Sequence, residues 1–239
     1  MPEELAVRLA EVRERIGRAA ARAGRRPEQI TLVGVSKRQP AEAVAALVEA
    51  GLAHCGENFV QEALEKIPRV AALLAARAPT PRWHFVGRLQ RNKAKLAAQL
   101  FDVVEVVDRV ELAEALALHA AAAGRTLEVL LQVNVSAEAQ KGGADPEALA
   151  PLVEAVSRLS ALRLVGLMAV PAVSEQPEHT RPAFARLREL RDGLCRGITG
   201  LELPELSMGM SADFEIAIEE GASIVRVGTA LFGARGGRT

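Results

Sequence analysis

Eight short apolar runs, rich in β-branched residues, recur near positions 30-36, 52-56, 82-86, 102-107, 127-135, 162-168, 203-208 and 223-227. Ala/Leu/Glu/Arg-rich stretches with helical periodicity separate them. Strands apolar on both faces must be covered on both, and regular alternation with helices gives a parallel sheet with its helices outside. Eight such units in 239 residues predict an α/β protein built as one (β/α)8 barrel of the TIM type. Before the first run, Leu5, Leu9, Val12 and Ile16 recur at spacings of four and three, which predicts an amphipathic helix over 3-23 ended by Gly24 and Pro27. The last run leaves only residues 229-239, so the final helix is expected to be short or missing, with the N-terminal helix covering the gap. Neither a linker, a low-complexity tract nor an internal repeat divides the chain. A single domain over 1-239 is expected, with residues 1-27 packed on it.

In such a barrel the functional groups sit at the C-terminal ends of the strands, and phosphate sites form from the loops after strands seven and eight. Lys37 ends the run Ile30-Thr-Leu-Val-Gly-Val-Ser36, and Pro40 opens the helical stretch after it. A lysine leaving a buried strand is expected to lose hydration and attack a carbonyl as a Schiff-base nucleophile. At the far end, Ser207-Met-Gly-Met-Ser-Ala-Asp213 and Ile224-Val-Arg-Val-Gly-Thr-Ala230 read as two strand ends feeding small-residue turns. Ser211 is expected to cap a helix running to about Glu220, Gly228 to permit close backbone approach, and Thr229 to add a hydroxyl. Each alone is satisfied by a capping or turn role; together they make a phosphate cup. Asp213 and Glu215 stand against it, since carboxylates repel phosphate unless they face away. Barrel closure sets strand one beside strand eight, so an amine and a phosphate cup share one mouth. An aldehyde and a phosphate on one ligand describe pyridoxal phosphate.

Arg226 lies inside the eighth run between Val225 and Val227, where a charge is costly without a partner. It has two readings: a salt bridge with Glu57 or another carboxylate, or contact with a pyridine nitrogen. A guanidinium there would weaken the ring as an electron sink, which disfavours aminotransferase chemistry. Asn58 and Gln61 fit a capping box for the helix after strand two. His84, near the end of strand three, is either a satisfied core imidazole or a site residue. Arg88, Arg91, Lys93 and Lys95, with Gln90 and Asn92, read as a solvated helix start; no aromatics are interleaved for base stacking. Lys141, in Gln140-Lys-Gly-Gly143, is the rival amine in an exposed loop.

Composition narrows the classes further. Thirty basic and thirty acidic residues balance, which gives no pull toward a polyanion or an anionic membrane. Cys55 and Cys195 form neither a disulfide framework nor a close metal-ligand pair, and no N-terminal apolar segment suggests export. The reading is a cytoplasmic protein without a metal. Only five of the basic residues are lysines, so few amines compete with Lys37, and tyrosine is absent.

At these residues the chain resembles the pyridoxal phosphate homeostasis protein family, also described as proline synthetase co-transcribed homologues. The motifs run in order from Val35-Ser-Lys37, Gly56-Glu-Asn58 with Gln61-Glu62, Trp83-His-Phe with Gly87, Leu89-Gln90 and Asn92-Lys93, through Gly166-Leu-Met-Ala169, to Gly209-Met-Ser211 and Arg226-Val-Gly-Thr229 with Phe232-Gly233. Arg88 departs from the pattern, since many relatives carry proline there. The resemblance implies a barrel like the N-terminal domain of alanine racemase. It also implies cofactor joined to Lys37, phosphate around Ser211, Gly228 and Thr229, and Arg226 near the pyridine nitrogen. Such proteins bind, store or deliver pyridoxal phosphate, to apo-enzymes among others, without an established turnover. The alternative is a one-domain amino-acid racemase with His84, Cys55 or water as second base; alanine racemase draws a tyrosine from a second domain, for which this chain has neither tyrosine nor residues left. A weaker alternative is a Schiff-base aldolase. A complete barrel without an obvious apolar surface helix is expected to be a monomer.

Overall fold

The computed structural model describes residues 2–75, 77–136, 142–172, 174 and 176–233. Its strands are β1 (Thr31–Val35), β2 (His54–Glu57), β3 (Arg82–Phe85), β4 (Val103–Val107), β5 (Leu127–Gln132), β6 (Leu162–Met168), β7 (Glu205–Ser207) and β8 (Ile224–Val227). They pair in sequence order, all parallel, and close through β1 and β8, where Val33 lies opposite Arg226. The connecting helices are α2 (Ala41–Glu49), α3 (Val60–Leu74), α4 (Ala94–Leu100), α5 (Val110–Ala122), α6 (Leu149–Ser157), α7 (Arg181–Gly197) and α8 (Phe214–Glu219). Every expected strand is present, each shorter than or equal to its apolar run, because the ends of the runs are spent on entering and leaving the sheet.

The expected amphipathic helix is α1 (Pro2–Arg22), which buries Leu5, Leu9, Val12, Ile16, Ala19 and Ala20. Full burial of each large aliphatic side chain is worth about 1.5–3 kcal/mol, so this stripe alone holds the helix down. It packs against α2, α8 and the single-turn α9 (Thr229–Phe232). The contact is fixed by Arg15, whose Nε lies 2.7 Å from Glu215 Oε1 and whose guanidinium sits 4.5 Å above the Phe214 ring. α9 has only four residues, and α1 takes the place on the barrel wall that a full eighth helix would occupy.

The alternation along β1 decides where Lys37 points. A side chain on Gly56 would touch Val33, Val35 and Val86, whereas one on Gly34 would strike Leu52 and Leu231 of the outer layer. Val33 and Val35 therefore face the barrel axis, and Lys37 follows them in the same parity. Leu47, Leu112, Leu116 and the edge-on pair Phe85 and Phe101, with ring centroids 5.1 Å apart, fill the layer between strands and helices. The interior is different: His84, Glu105, Ser207 and Arg226 are all buried there. Among the described residues no helix is long and apolar enough to cross a membrane.

Candidate functional site

Lys37 sits on the turn that leaves β1, held from both sides. Ser36 N extends the ladder to Gly56 O at 2.9 Å, and Ser36 Oγ donates to Glu57 Oε1 at 2.6 Å. Beneath it, the buried Lys66 Nζ donates to Ser36 O, Glu57 Oε1 and Glu62 Oε1, each at 2.6 Å. Glu62 Oε1 also accepts from Arg38 N at 2.5 Å, and Arg38 adopts a left-handed backbone with φ 61°. That conformation costs a non-glycine residue about 1–2 kcal/mol, which the carboxylate on its N–H offsets. Lys37 thus projects from a pinned turn, and its side chain is exposed. This corrects the expectation of a dehydrated amine: the strand ends before Lys37, and the turn lifts it into the open mouth. Lys66, read from sequence only as one amine among five, is the buried lysine here. Its signal was the Glu62-Lys66 spacing of one helical turn.

The β7 and β8 ends meet across one hydroxyl. Ser211 Oγ accepts from Gly228 N and Ala230 N, both at 3.3 Å. Its expected capping role is overturned, because α8 begins at Phe214 with Asp213 in the N-cap position. The intervening residues form a turn in which Asp213 N and Phe214 N both reach Met210 O. Gly209 makes this possible: its φ is 92°, and a β-carbon there would lie 2.5 Å from Ala217 Cβ. The two carboxylates that stood against an anion are turned away. Asp213 Oδ1 accepts from Met210 N at 2.7 Å and Glu215 pairs with Arg15. Thr229 is exposed at the start of α9, and Gly228 lies close enough to β1 that a β-carbon would come within 3.3 Å of Val35 O. Ser211, Gly228, Thr229 and Lys37 are therefore brought to one mouth by three adjacent strands.

Arg226 is paired, though not with Glu57. Glu57 follows the inward-facing Gly56 and so points outward to α3 and Lys66, where burial pushes its carboxyl up despite the bonds from Lys66 and Ser36. The partner is Glu105 of β4. Arg226 Nη1 donates to Ser207 Oγ at 2.5 Å and lies 3.7 Å from Glu105 Oε2, while its Nη2 donates to Ala169 O at 2.9 Å. Ser207 Oγ in turn donates to Glu105 Oε2 at 2.5 Å. Burial alone would raise Glu105, but bonds from His84 and Ser207 and the charge of Arg226 hold its carboxyl below the usual carboxylate range. His84 Nδ1 lies 2.6 Å from Glu105 Oε1, and His84 Nε2 lies 3.0 Å from His54 Nδ1. Both ring nitrogens of His84 are engaged and the ring is buried, so of its two readings the satisfied core imidazole describes its contacts. Glu105 links His84 to Ser207 and Arg226.

This interior chain has a pH consequence. Burial first, then the charges of His84 and Arg82, lower His54 from its ordinary 6.5 to about 4. The unfolded chain takes up that proton before the folded one. The contribution is fully present above pH 6.5 and is lost as the pH falls from 6.5 toward 4. Discounted for partial exposure, the loss should be about 1–2 kcal/mol. Urea midpoints measured across that window should fall for the parent protein and stay flatter for His54→Gln; parallel slopes would refute the assignment.

Asn58 supplies an unmet polar group. The expected capping box with Gln61 is absent, since α3 starts at Val60 behind Phe59 and has no side-chain cap. Asn58 Oδ1 is instead buried without a hydrogen-bond partner, a costly state unless a ligand or water donates to it. Gly87 lets the chains approach here, for a β-carbon would fall 2.1 Å from Asn58 O. Asn58, Val86, Val106, Gln132 and Met168 border a cavity of about 360 Å3 on the β2 to β6 side of the mouth. The orphaned amide oxygen, the two backbone donors converging on Ser211 and the exposed amine together fit a small ligand carrying an aldehyde and an anion. Lys141, the rival amine, lies outside the described residues. Among those residues no cluster of His, Cys, Asp and Glu is arranged to hold a metal.

Comparison with known proteins agrees with this geometry. Residues 7–236 match the family described as alanine racemase, N-terminal domain. The chain is 48% identical over 231 residues to the pyridoxal phosphate homeostasis protein of Pseudomonas aeruginosa, covering 97% of this chain and 96% of that one. It is 45% identical over 228 residues to the protein of the same name from Aquifex aeolicus, covering 95% and 97%. Among solved structures, PipY of Synechococcus elongatus with pyridoxal phosphate bound superposes with a TM-score of 0.82 at 37% identity, over 96% of this chain and all (100%) of that one. The chain belongs to the pyridoxal phosphate homeostasis protein family.

Proposed function

We propose that the protein binds pyridoxal 5′-phosphate through Lys37 and acts as a cytoplasmic, monomeric carrier and buffer of it, releasing it to apo-enzymes without a turnover of its own. The observation that carries this reading is the pairing of an exposed, pinned amine with convergent donors one strand away. When bound, pyridoxal phosphate supplies an aldehyde that condenses reversibly with an amine. Ser211, Gly228 and Thr229, with Ala230 N, would hold its phosphate. Asn58, with its unpaired amide oxygen, would help hold the cofactor, and Arg226, fixed by Glu105, Ser207 and Ala169, would supply a cation to its ring nitrogen. His84 acts one step back by fixing Glu105. Exposure of Lys37 favours exchange, since incoming amines reach the same atom that holds the cofactor.

The racemase alternative requires a second base on the opposite face. Burial pushes the Cys55 thiol far up, and both nitrogens of His84 are committed to His54 and Glu105. Neither is arranged for that duty. The test is a visible spectrum of the purified protein, borohydride reduction and peptide mass mapping. A pyridoxyl group on Lys37 is the expected result; an unmodified Lys37 beside a modified lysine elsewhere would overturn the anchor.

A further inference from the structure

Outside the mouth, Arg88, Leu89, Gln90, Arg91, Asn92 and Arg109 line a groove of about 540 Å3. It adjoins the 360 Å3 mouth cavity, with which it shares Arg88 and Leu89. The loop after β3 supplies five of these residues and the start of α5 the sixth. Arg88 and Arg91 are exposed, and among the described residues neither has a carboxylate partner. Several arginines elsewhere are consumed: Arg181 is shared by Glu178, Glu219 and Glu220, Arg188 is held by Glu220, and Arg125 by Asp102. Among the described residues the exposed Arg26, Arg186 and Arg196 also lack a carboxylate partner, so it is the lining shared with the mouth cavity that singles out this groove. Arg109 is partly neutralised, with Nη1 2.5 Å from Asp108 Oδ1. Three arginines against Asp108 leave a net charge of about +2 on the lining; Glu114 of α5, which borders a neighbouring cavity with Arg91 and Asn92, offsets part of it, and Lys93 and Lys95 follow in the same segment. A guanidinium with no carboxylate to satisfy its fork is built to take a phosphate bidentately. The amides of Gln90 and Asn92 add neutral donors.

We infer that this groove is a second anion site, which takes the dianion of a small phosphate monoester and hands it to the adjoining mouth. The handover rests on the proposed cofactor reading; the anion site itself does not. Arg88 is the shared wall, so a phosphate held there already borders the inner cavity. Two unpaired cations also focus field at the mouth, which accelerates capture of an anion in a salt-dependent way.

Two measurements on the full chain test this. In the first, the cofactor-loaded protein is titrated calorimetrically with glycerol 2-phosphate, which carries no aldehyde and finds the inner site occupied. One weak equivalent is expected, with at least a tenfold loss of affinity in R88A/R91A. In the second, stopped-flow capture of pyridoxal phosphate by the apo-protein should slow about tenfold in R88A/R91A and lose most of its salt dependence, with the same final spectrum. Both side chains are exposed, and an unchanged urea midpoint verifies that the variant folds. Absence of glycerol phosphate binding to the parent would overturn the site and leave the arginines to an acidic protein surface. Binding lost in the variant with capture unaltered would overturn the handover while upholding the site. A parent that captures no pyridoxal phosphate would fail the cofactor reading, while the glycerol phosphate titration still decides the groove.

Discussion

Lys37→Ala should yield a folded protein that carries no covalent pyridoxyl group after borohydride. The side chain is exposed and makes no contact in the core, so its removal should shift stability by no more than about 0.5 kcal/mol. Among the described residues no second amine is placed to take the chemistry over. Lys66 lies beneath the Lys37 turn, but its nitrogen is buried and spent on Ser36 O, Glu57 and Glu62. Freeing it would strand the Glu57 carboxylate, whose other oxygen already has no partner. Lys93 and Lys95 flank the start of α4, after the β3 end, on the far side of β2 from Lys37. The cup formed by Ser211, Gly228 and Ala230 does not depend on Lys37, so the variant should still retain the cofactor weakly and reversibly, dialysing away where the parent keeps it. Peptide mapping decides the matter: a pyridoxyl group on any other lysine of Lys37→Ala, at the parent's stoichiometry, would sink the assignment.

The parts of this site that were legible in the sequence are those set by position in a strand–helix alternation. Lys37, Ser211, Gly228 and Thr229 follow three strand ends, and barrel closure alone brings them together. The helix 3-23 was legible because Leu5, Leu9, Val12 and Ile16 are the residues it buries. What failed were local assignments that depend on a single turn. The Ser211 cap and the Asn58 capping box both assumed that a helix begins where its polar signal stands. In fact α8 and α3 start two to three residues later; the residues passed over leave Ser211 Oγ to accept from Gly228 N and Ala230 N and leave Asn58 Oδ1 without a partner. The salt bridge expected for Arg226 is present, with Glu105 as the other carboxylate in place of Glu57. Parity places Gly56 inward and Glu57 outward, so Glu57 could have been excluded from the interior by counting along β2. Glu105 was the missed signal, a lone carboxylate inside Val103-Val-Glu-Val-Val107 that is intelligible only with a buried cation across the barrel.

The pair Arg226 and Glu105 should carry the largest stability effects in the molecule. Both are buried in the barrel, and removing one member of such a pair leaves an uncompensated charge, at a cost of about 3–5 kcal/mol. Glu105→Leu and Arg226→Met should each lower the unfolding free energy by that much, read as a fall in the urea midpoint. The double variant should recover a large part of the loss, since it replaces the pair by apolar groups of similar volume. Function should not recover with it. If Arg226 serves only the fold, the double variant will hold pyridoxal phosphate as the parent does; if it faces the ring nitrogen, the double variant will be stable and will bind weakly, with an altered visible band. Glu105→Gln gives the intermediate case. The amide keeps the hydrogen bond from Ser207 and loses the charge, so the Arg226 cation should be less tightly fixed and binding should weaken less than in the double variant. Glu105 also sets an acid limit on this arrangement. Its carboxyl is held below the ordinary range, so its stabilising contribution is complete above that range and is lost as the pH falls through its depressed value. In Glu105→Gln this acid-side loss should vanish, while the separate loss from His54 between pH 6.5 and about 4 persists.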